Sequence, residues 1–156
     1  MTLPVEDRPA LSDLVHRYAA GVDDRRFEAA AALFTVSGEL SVPDPPASLE
    51  PVHVHRGHPA IVAALSAVAA VARTEHAIVG EVYDESSGPG FARGRIACVA
   101  HHWNRRGDEV TDVTWHLRYD DEYTLTDAGW RFSRRALTIN AIETRAVRRL
   151  LPRDPG

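Results

Sequence analysis

Apolar residues at Leu11, Leu14, Val15, Tyr18, Ala19 and Val22 repeat at the i, i+3, i+4, i+7 spacing of a helix with one buried stripe. A polar break follows at Asp23-Asp24-Arg25-Arg26, and Phe27, Ala30, Ala31 and Phe34 then predict a second, shorter helix with Asp24 as its N-cap. Val36-Ser37-Gly38 predicts the end of that helix, and residues 39–42 read as a short strand. The prolines from Pro43 to Pro51 predict a loop, and His53-Val54-His55 a brief strand. Pro59 sits where a first helical turn tolerates it, ahead of the apolar face Ile61, Ala64, Leu65 and Val68 of a third helix. Beyond Arg73 the period changes to two, which predicts strands near residues 76–83, 91–103, 111–124 and 130–139. Helices first and strands afterwards predict an α+β fold, with the helices packed on one face of a curved sheet in a single domain spanning residues 1–156.

Alternation along the strands sorts polar side chains by face. Ala92, Gly94, Ile96, Cys98, Ala100 and His102 share a small, apolar face, while Arg93, Arg95, Ala97, Val99, His101 and Trp103 share the other. His102 is therefore predicted to point inward and His101 outward. In the next strand Val113, Trp115, Leu117 and Tyr119 are predicted to line the interior, opposite Asp112, Thr114, His116 and Arg118. Asp23 falls at the edge of the first helix's apolar stripe, whereas Asp24 faces away. His76 shares parity with Ile78, Gly80 and Val82. Three ionisable groups, Asp23, His76 and His102, are thus predicted to converge on the interior. A buried carboxylate needs a donor, and an imidazole held by one nitrogen presents the other as a general base near neutral pH.

Charge and composition narrow the chemistry. The net charge is −4, from 18 basic and 22 acidic residues mixed along the chain, which argues against nucleic acid as a partner. Every basic residue is Arg, so Schiff-base chemistry, which needs a lysine amine, is excluded. Arg145, Arg148, Arg149 and Arg153 cluster in the tail and read as a solvated helix face. No apolar run approaches the ~20 residues of a membrane span, and the start has neither region of a signal peptide, so a cytoplasmic protein is expected. Cys98, the single cysteine, reads as a small buried filler. His53, His55 and His58 lack an acidic residue at metal-ligand spacing and read as surface histidines, so no metal site is expected.

His16-Arg17-Tyr18-Ala19-Ala20-Gly21-Val22-Asp23-Asp24-Arg25-Arg26-Phe27-Glu28 followed by Ala32-Leu33-Phe34 resembles the opening of SnoaL-like proteins, of the nuclear-transport-factor-2-like superfamily. Arg56-Gly57-His58-Pro59-Ala60-Ile61, Thr74-Glu75-His76 and Gly129-Trp130-Arg131-Phe132 resemble three more landmarks in the same order, so the likeness covers about residues 8–140 and leaves 141–156 as a tail. The resemblance implies a cone-shaped fold, with three N-terminal helices on the concave face of a mixed or antiparallel sheet. Asp23 and His76 match the Asp–His pair of the scytalone dehydratase and lindane dehydrochlorinase type, and His102 matches a second active-site His of the dehydratase. Val22 and Val42 stand where the dehydratase carries substrate-polarising tyrosines, and Tyr119 where it carries an Asn, so a different substrate is implied.

The expectation is a cofactor-independent lyase, dehydratase or isomerase for a small, largely apolar cyclic or polyketide-like metabolite. His76 would take a proton with Asp23 behind it, His102 would donate to the leaving oxygen or stabilise an oxyanion, and Tyr18, Phe34, Trp115 and Tyr119 would form the substrate walls. The alternative is a non-catalytic small-molecule-binding or docking module of the same fold. Epoxide opening would need a second inward carboxylate, and none is predicted. On analogy with the fold, a homodimer or higher homo-oligomer through the sheet is expected.

Overall fold

A computed structural model describes residues 2–153. The first helix, α1 (Asp7–Asp23), buries Leu11, Leu14, Val15, Tyr18, Ala19 and Val22, the predicted stripe. Asp24 does not cap a following helix; its backbone N–H closes α1 on the Ala20 carbonyl. The second helix, α2, is only Phe27–Ala31. Phe34 satisfies the helical period, but it opens strand β1 (Phe34–Asp44), where its ring packs 5.0 Å from that of Phe132. Residues 36–38, predicted to end a helix, are therefore strand.

The proline-rich segment also departs from the predicted loop. Only residues 45–47 turn, and β2 (Ser48–Arg56) returns antiparallel along β1 with Pro51 inside it. Proline is tolerated there because β2 is an edge strand, where a missing N–H leaves no ladder partner unsatisfied. Helix α3 (His58–Leu65), with Pro59 in its first turn, runs into a 3₁₀ turn over Ser66–Ala70.

Strands β3 (Arg73–Glu85), β4 (Phe91–Arg106), β5 (Glu109–Thr126) and β6 (Gly129–Val147) form an antiparallel meander longer than the alternation predicts. Arg145 lies in β6 opposite Asp112, and Arg148 and Arg149 follow the strand in irregular chain, so the tail forms no helix face. The single six-stranded sheet has the order β2-β1-β6-β5-β4-β3, with β1 parallel to β6 and every other pair antiparallel. It is a curved, unclosed mixed sheet beside a few helices, the cone-type α+β fold that was expected. Among the described residues no helix is long and apolar enough to cross a membrane.

The inward face of β4 is as predicted, with Ala92, Gly94, Ile96, Cys98, Ala100 and His102 all buried. Gly94 is required by close approach, since a Cβ there would stand 2.7 Å from the Tyr123 hydroxyl oxygen. Two bulges in β6, at Ser133 and Asn140, reset its alternation against β5. The first turns Arg135 inward, where it is 0% exposed.

Arg135 meets Asp121 in a two-pronged ion pair, Nε to Oδ1 at 2.8 Å and Nη2 to Oδ2 at 2.7 Å, with both side chains fully buried. The Tyr123 hydroxyl donates to the same carboxylate at 2.7 Å. The guanidinium carbon sits 3.8 Å from the Tyr119 ring centre, 4.4 Å from Phe132 and 4.5 Å from Tyr18, so aromatic faces help hold the charge. Asp121 is the second inward carboxylate that the sequence reading did not anticipate. It is consumed by Arg135 and Tyr123, so the epoxide reading gains nothing from it.

Candidate active site

The C-terminal end of α1 brings Asp23 against the first residues of β3. The His76 backbone N–H donates to Asp23 Oδ2 at 2.8 Å, and the Thr74 hydroxyl donates to Oδ1 at 3.0 Å. His76 Nδ1 lies 2.7 Å from Oδ1. Burial alone would raise the Asp23 pKa, but the hydrogen bonds and charge of His76, with Thr74, outweigh it and hold the carboxyl below its ordinary value. An ionised carboxylate only accepts, so His76 Nδ1 carries the proton and Nε2, on the far edge of the ring, is left with its lone pair.

His76 and His102 both line a cavity of about 390 Å³. Their rings lie edge to face with centres 6.2 Å apart, and Trp115 stands 4.5 Å from His102. Tyr18, Tyr119, Leu117 and Leu137 form one part of the wall. Ala64, Leu65, Ala67, Val68 and Val71, from α3 and the turn after it, cover another. Burial raises the Tyr18 phenol to about 12, against the lowering effect of the adjoining Arg135 cation, and raises that of Tyr119 well above its usual range. Both remain protonated at neutral pH, and both side chains belong to the cavity wall.

Of the predicted substrate walls, Tyr18, Trp115 and Tyr119 line this space and Phe34 does not. Phe34 lies behind it, packed on Tyr18 and Phe132 in the core. Asn104 also lines the cavity, continuing the inward parity of β4 one step beyond the predicted strand end at Trp103, and so do Ala64, Leu65 and Val68 from the predicted apolar face of the third helix.

His102 takes a different posture from the one expected. Its Nδ1 lies 2.8 Å from the Val113 carbonyl oxygen, which can only accept, so Nδ1 carries the proton and Nε2 is bare. Burial pulls its pKa below the ordinary 6.5, against the raising effect of the Val113 contact. At rest His102 is therefore a neutral acceptor and not a proton donor.

The sign of this shift sets a pH dependence. Below about pH 6.5 the unfolded chain binds a proton at His102 that the folded chain does not, so stability falls as pH drops from there toward the lower folded value. We expect the fall in Tm between about pH 7 and pH 5 to be smaller in His102→Gln than in the wild type. An equal fall in both would mean that His102 is not held neutral. The depressed carboxyl of Asp23 acts in a separate window, its stabilisation being lost below the ordinary carboxylate value of 3.8.

The chain matches the model for the SnoaL-like domain over residues 4–136. It belongs to the SnoaL-like family. No protein of curated function matches it significantly. Among solved structures, this SnoaL-like chain is similar to a candidate scytalone dehydratase from Novosphingobium aromaticivorans DSM 12444, at 21% identity and TM-score 0.72, covering 95% of this chain and 93% of that one. It is also similar to the hexachlorocyclohexane dehydrochlorinase LinA-type3 from Novosphingobium barchaimii LL02, at 18% identity and TM-score 0.75, covering 96% and 97%. A protein from Kribbella flavida, Kfla4162, shares 26% identity at TM-score 0.73, covering 88% and 93%.

Other polar clusters of this SnoaL-like protein lead elsewhere. On the outer sheet face His101 Nδ1 meets Asp112 Oδ2 at 2.7 Å, with Trp103 stacked 5.3 Å from His101. This buries Asp112 on the face predicted to be solvated, and it lies away from the cavity. His58 Nε2 bonds the Phe34 carbonyl and His53 faces Asp44, while no group of three metal-ligating side chains occurs among the described residues. Burial raises the Cys98 thiol to about 12, which removes it as a thiolate nucleophile.

Proposed function

We propose that this SnoaL-like protein is a cofactor-independent acid–base enzyme, a dehydratase-type lyase or isomerase, acting on a small and largely apolar ring compound. The observation that carries the reading is His76, fixed by Asp23 at Nδ1 and leaving Nε2 for an apolar cavity of a size that suits a small ligand.

In the elimination, His76 Nε2 takes a proton from the carbon beside a ring carbonyl. The C–H electron pair becomes the new double bond as the β-carbon–oxygen bond breaks. The proton passes from the His76 imidazolium to the departing hydroxyl, so water leaves and the base is restored. Asp23 stabilises the imidazolium and keeps its tautomer. The Tyr18 and Tyr119 hydroxyls are the wall donors able to stabilise charge on the carbonyl oxygen. His102 Nε2, an acceptor, orients the leaving hydroxyl by taking its hydrogen bond. That role replaces the proton donation expected from sequence. In an isomerisation the same His76 proton returns to another carbon.

The test is a panel of cyclic β-hydroxy ketones and unsaturated ketones followed by ultraviolet absorbance. Formation or migration of a conjugated enone in at least one member supports the reading. Binding of panel members without conversion of any of them contradicts it and favours a non-catalytic binding module.

A further inference from the structure

Beside the cavity lies a second depression of about 350 Å³, built differently. Val71 and Asn104 line both, so the two spaces adjoin. The rest of its wall is the backbone-rich segment 69–72 and three guanidinium groups, those of Arg25, Arg105 and Arg153. The apolar cavity thus opens beside a basin carrying three positive charges.

Among the described residues the hydrogen-bond partners of Arg25 and Arg153 are neutral. Arg25 donates to the Thr74 hydroxyl at 2.9 Å and to the Val71 carbonyl at 2.9 Å. Arg153, from the returning tail, donates to the Asp23 backbone carbonyl at 3.0 Å. Arg105 is exposed. The nearby carboxylate, Asp23, is already held by His76 and Thr74. Burial and the charges of Arg153 and Arg73 press on the Arg25 cation, with Asp23 opposing them. Arg25 also holds a left-handed backbone at φ 61°, unusual for a residue other than glycine, which directs its side chain back over β3. Guanidinium groups clustered without a carboxylate hydrogen-bond partner among the described residues attract an anion, and their fork matches carboxylate or phosphate oxygens.

Building on the acid–base reading, we infer that the substrate is an amphipathic acid: its apolar ring fills the cavity and its anionic end, a carboxylate or phosphate, sits in the Arg25–Arg105–Arg153 basin. The tail then has a function in binding, because Arg153 supplies one wall of the basin. Orientation follows as well. With the charged end fixed at the mouth, the ring can enter in one direction only, which selects the carbon presented to His76.

The test is calorimetric titration with 1-naphthoate, 1-naphthyl phosphate and the neutral 1-naphthamide, on the wild type and on an Arg105→Gln/Arg153→Gln double variant that leaves Asp23 and His76 intact. At least one anion is expected to bind about tenfold or more tightly than the amide at low salt, and the preference should shrink severalfold in the double variant and between about 0.05 and 0.5 M salt. The anion that gains more identifies carboxylate or phosphate as the natural group. Equal binding of acids and amide, a preference unchanged in the double variant, or failure of both acids to bind overturns the inference. Amide binding with no acid preference leaves the acid–base reading standing. A strong acid preference in a protein that converts no ring ketone sinks that reading and keeps the basin.

Discussion

Asp121→Asn is expected to cost about 3–5 kcal/mol of stability, the typical loss when one partner of a buried ion pair is removed. The carboxylate is fully buried, takes both prongs of Arg135 and accepts from Tyr123. Asn keeps the volume but not the charge, which leaves a guanidinium stranded among Tyr18, Tyr119 and Phe132. Aromatic faces offset only part of that cost. The loss is a large share of the ~5–15 kcal/mol that holds a domain together. At ~2–4 °C per kcal/mol for a chain of this size, Tm should fall by about 10 °C. Adding Arg135→Met should recover much of the loss, because an apolar pair removes the stranded charge. A Tm within about 2 °C of wild type for Asp121→Asn would show that the pair contributes little.

The second large effect concerns activity. His76→Ala should lower kcat/KM for any ring ketone the protein converts by about 10²–10⁴-fold, the usual contribution of a positioned general base. Asp23→Asn should lower it by about 10²-fold or more, because an amide can turn its NH₂ toward Nδ1 and place the proton on Nε2, where the base must be empty. Both variants should retain a cooperative unfolding transition, since Asp23 and His76 lie at the cavity edge and not in the packed interior. Turnover within threefold of wild type in either variant would contradict the assigned roles.

How far the site was legible follows from where each residue sits. Asp23 and His102 can be placed because the periods are regular around them: α1 keeps its stripe to its last turn, and β4 alternates without interruption from Ala92 to His102. The parity expected for His76 with Ile78, Gly80 and Val82 holds only as far as Ile78, because a bulge at Val79 turns Val82 outward and Tyr83 inward. Arg135 cannot be placed, because the bulge at Ser133 reverses the alternation just ahead of it. Asp121 carried a usable signal, since it continues the inward set Leu117, Tyr119, Tyr123 without a break. Phe34 was misplaced because one aromatic at helical spacing fits a strand start equally well. The Arg basin was invisible for a different reason: it is assembled by the tail folding back to the end of α1, a long-range contact that no local pattern encodes. The proton on His102 Nδ1 also depends on tertiary structure, through the Val113 carbonyl.

The central claim is that His76 removes a carbon-bound proton inside the cavity. Its most direct measurement is deuterium incorporation from D₂O into the carbon beside the carbonyl of a bound cyclic ketone, followed by NMR for the wild type and His76→Ala. Protein-dependent exchange is expected in the wild type, at a rate lower by about 10²-fold or more in the variant. No exchange above the uncatalysed rate in the wild type, or equal exchange in both proteins, would contradict it.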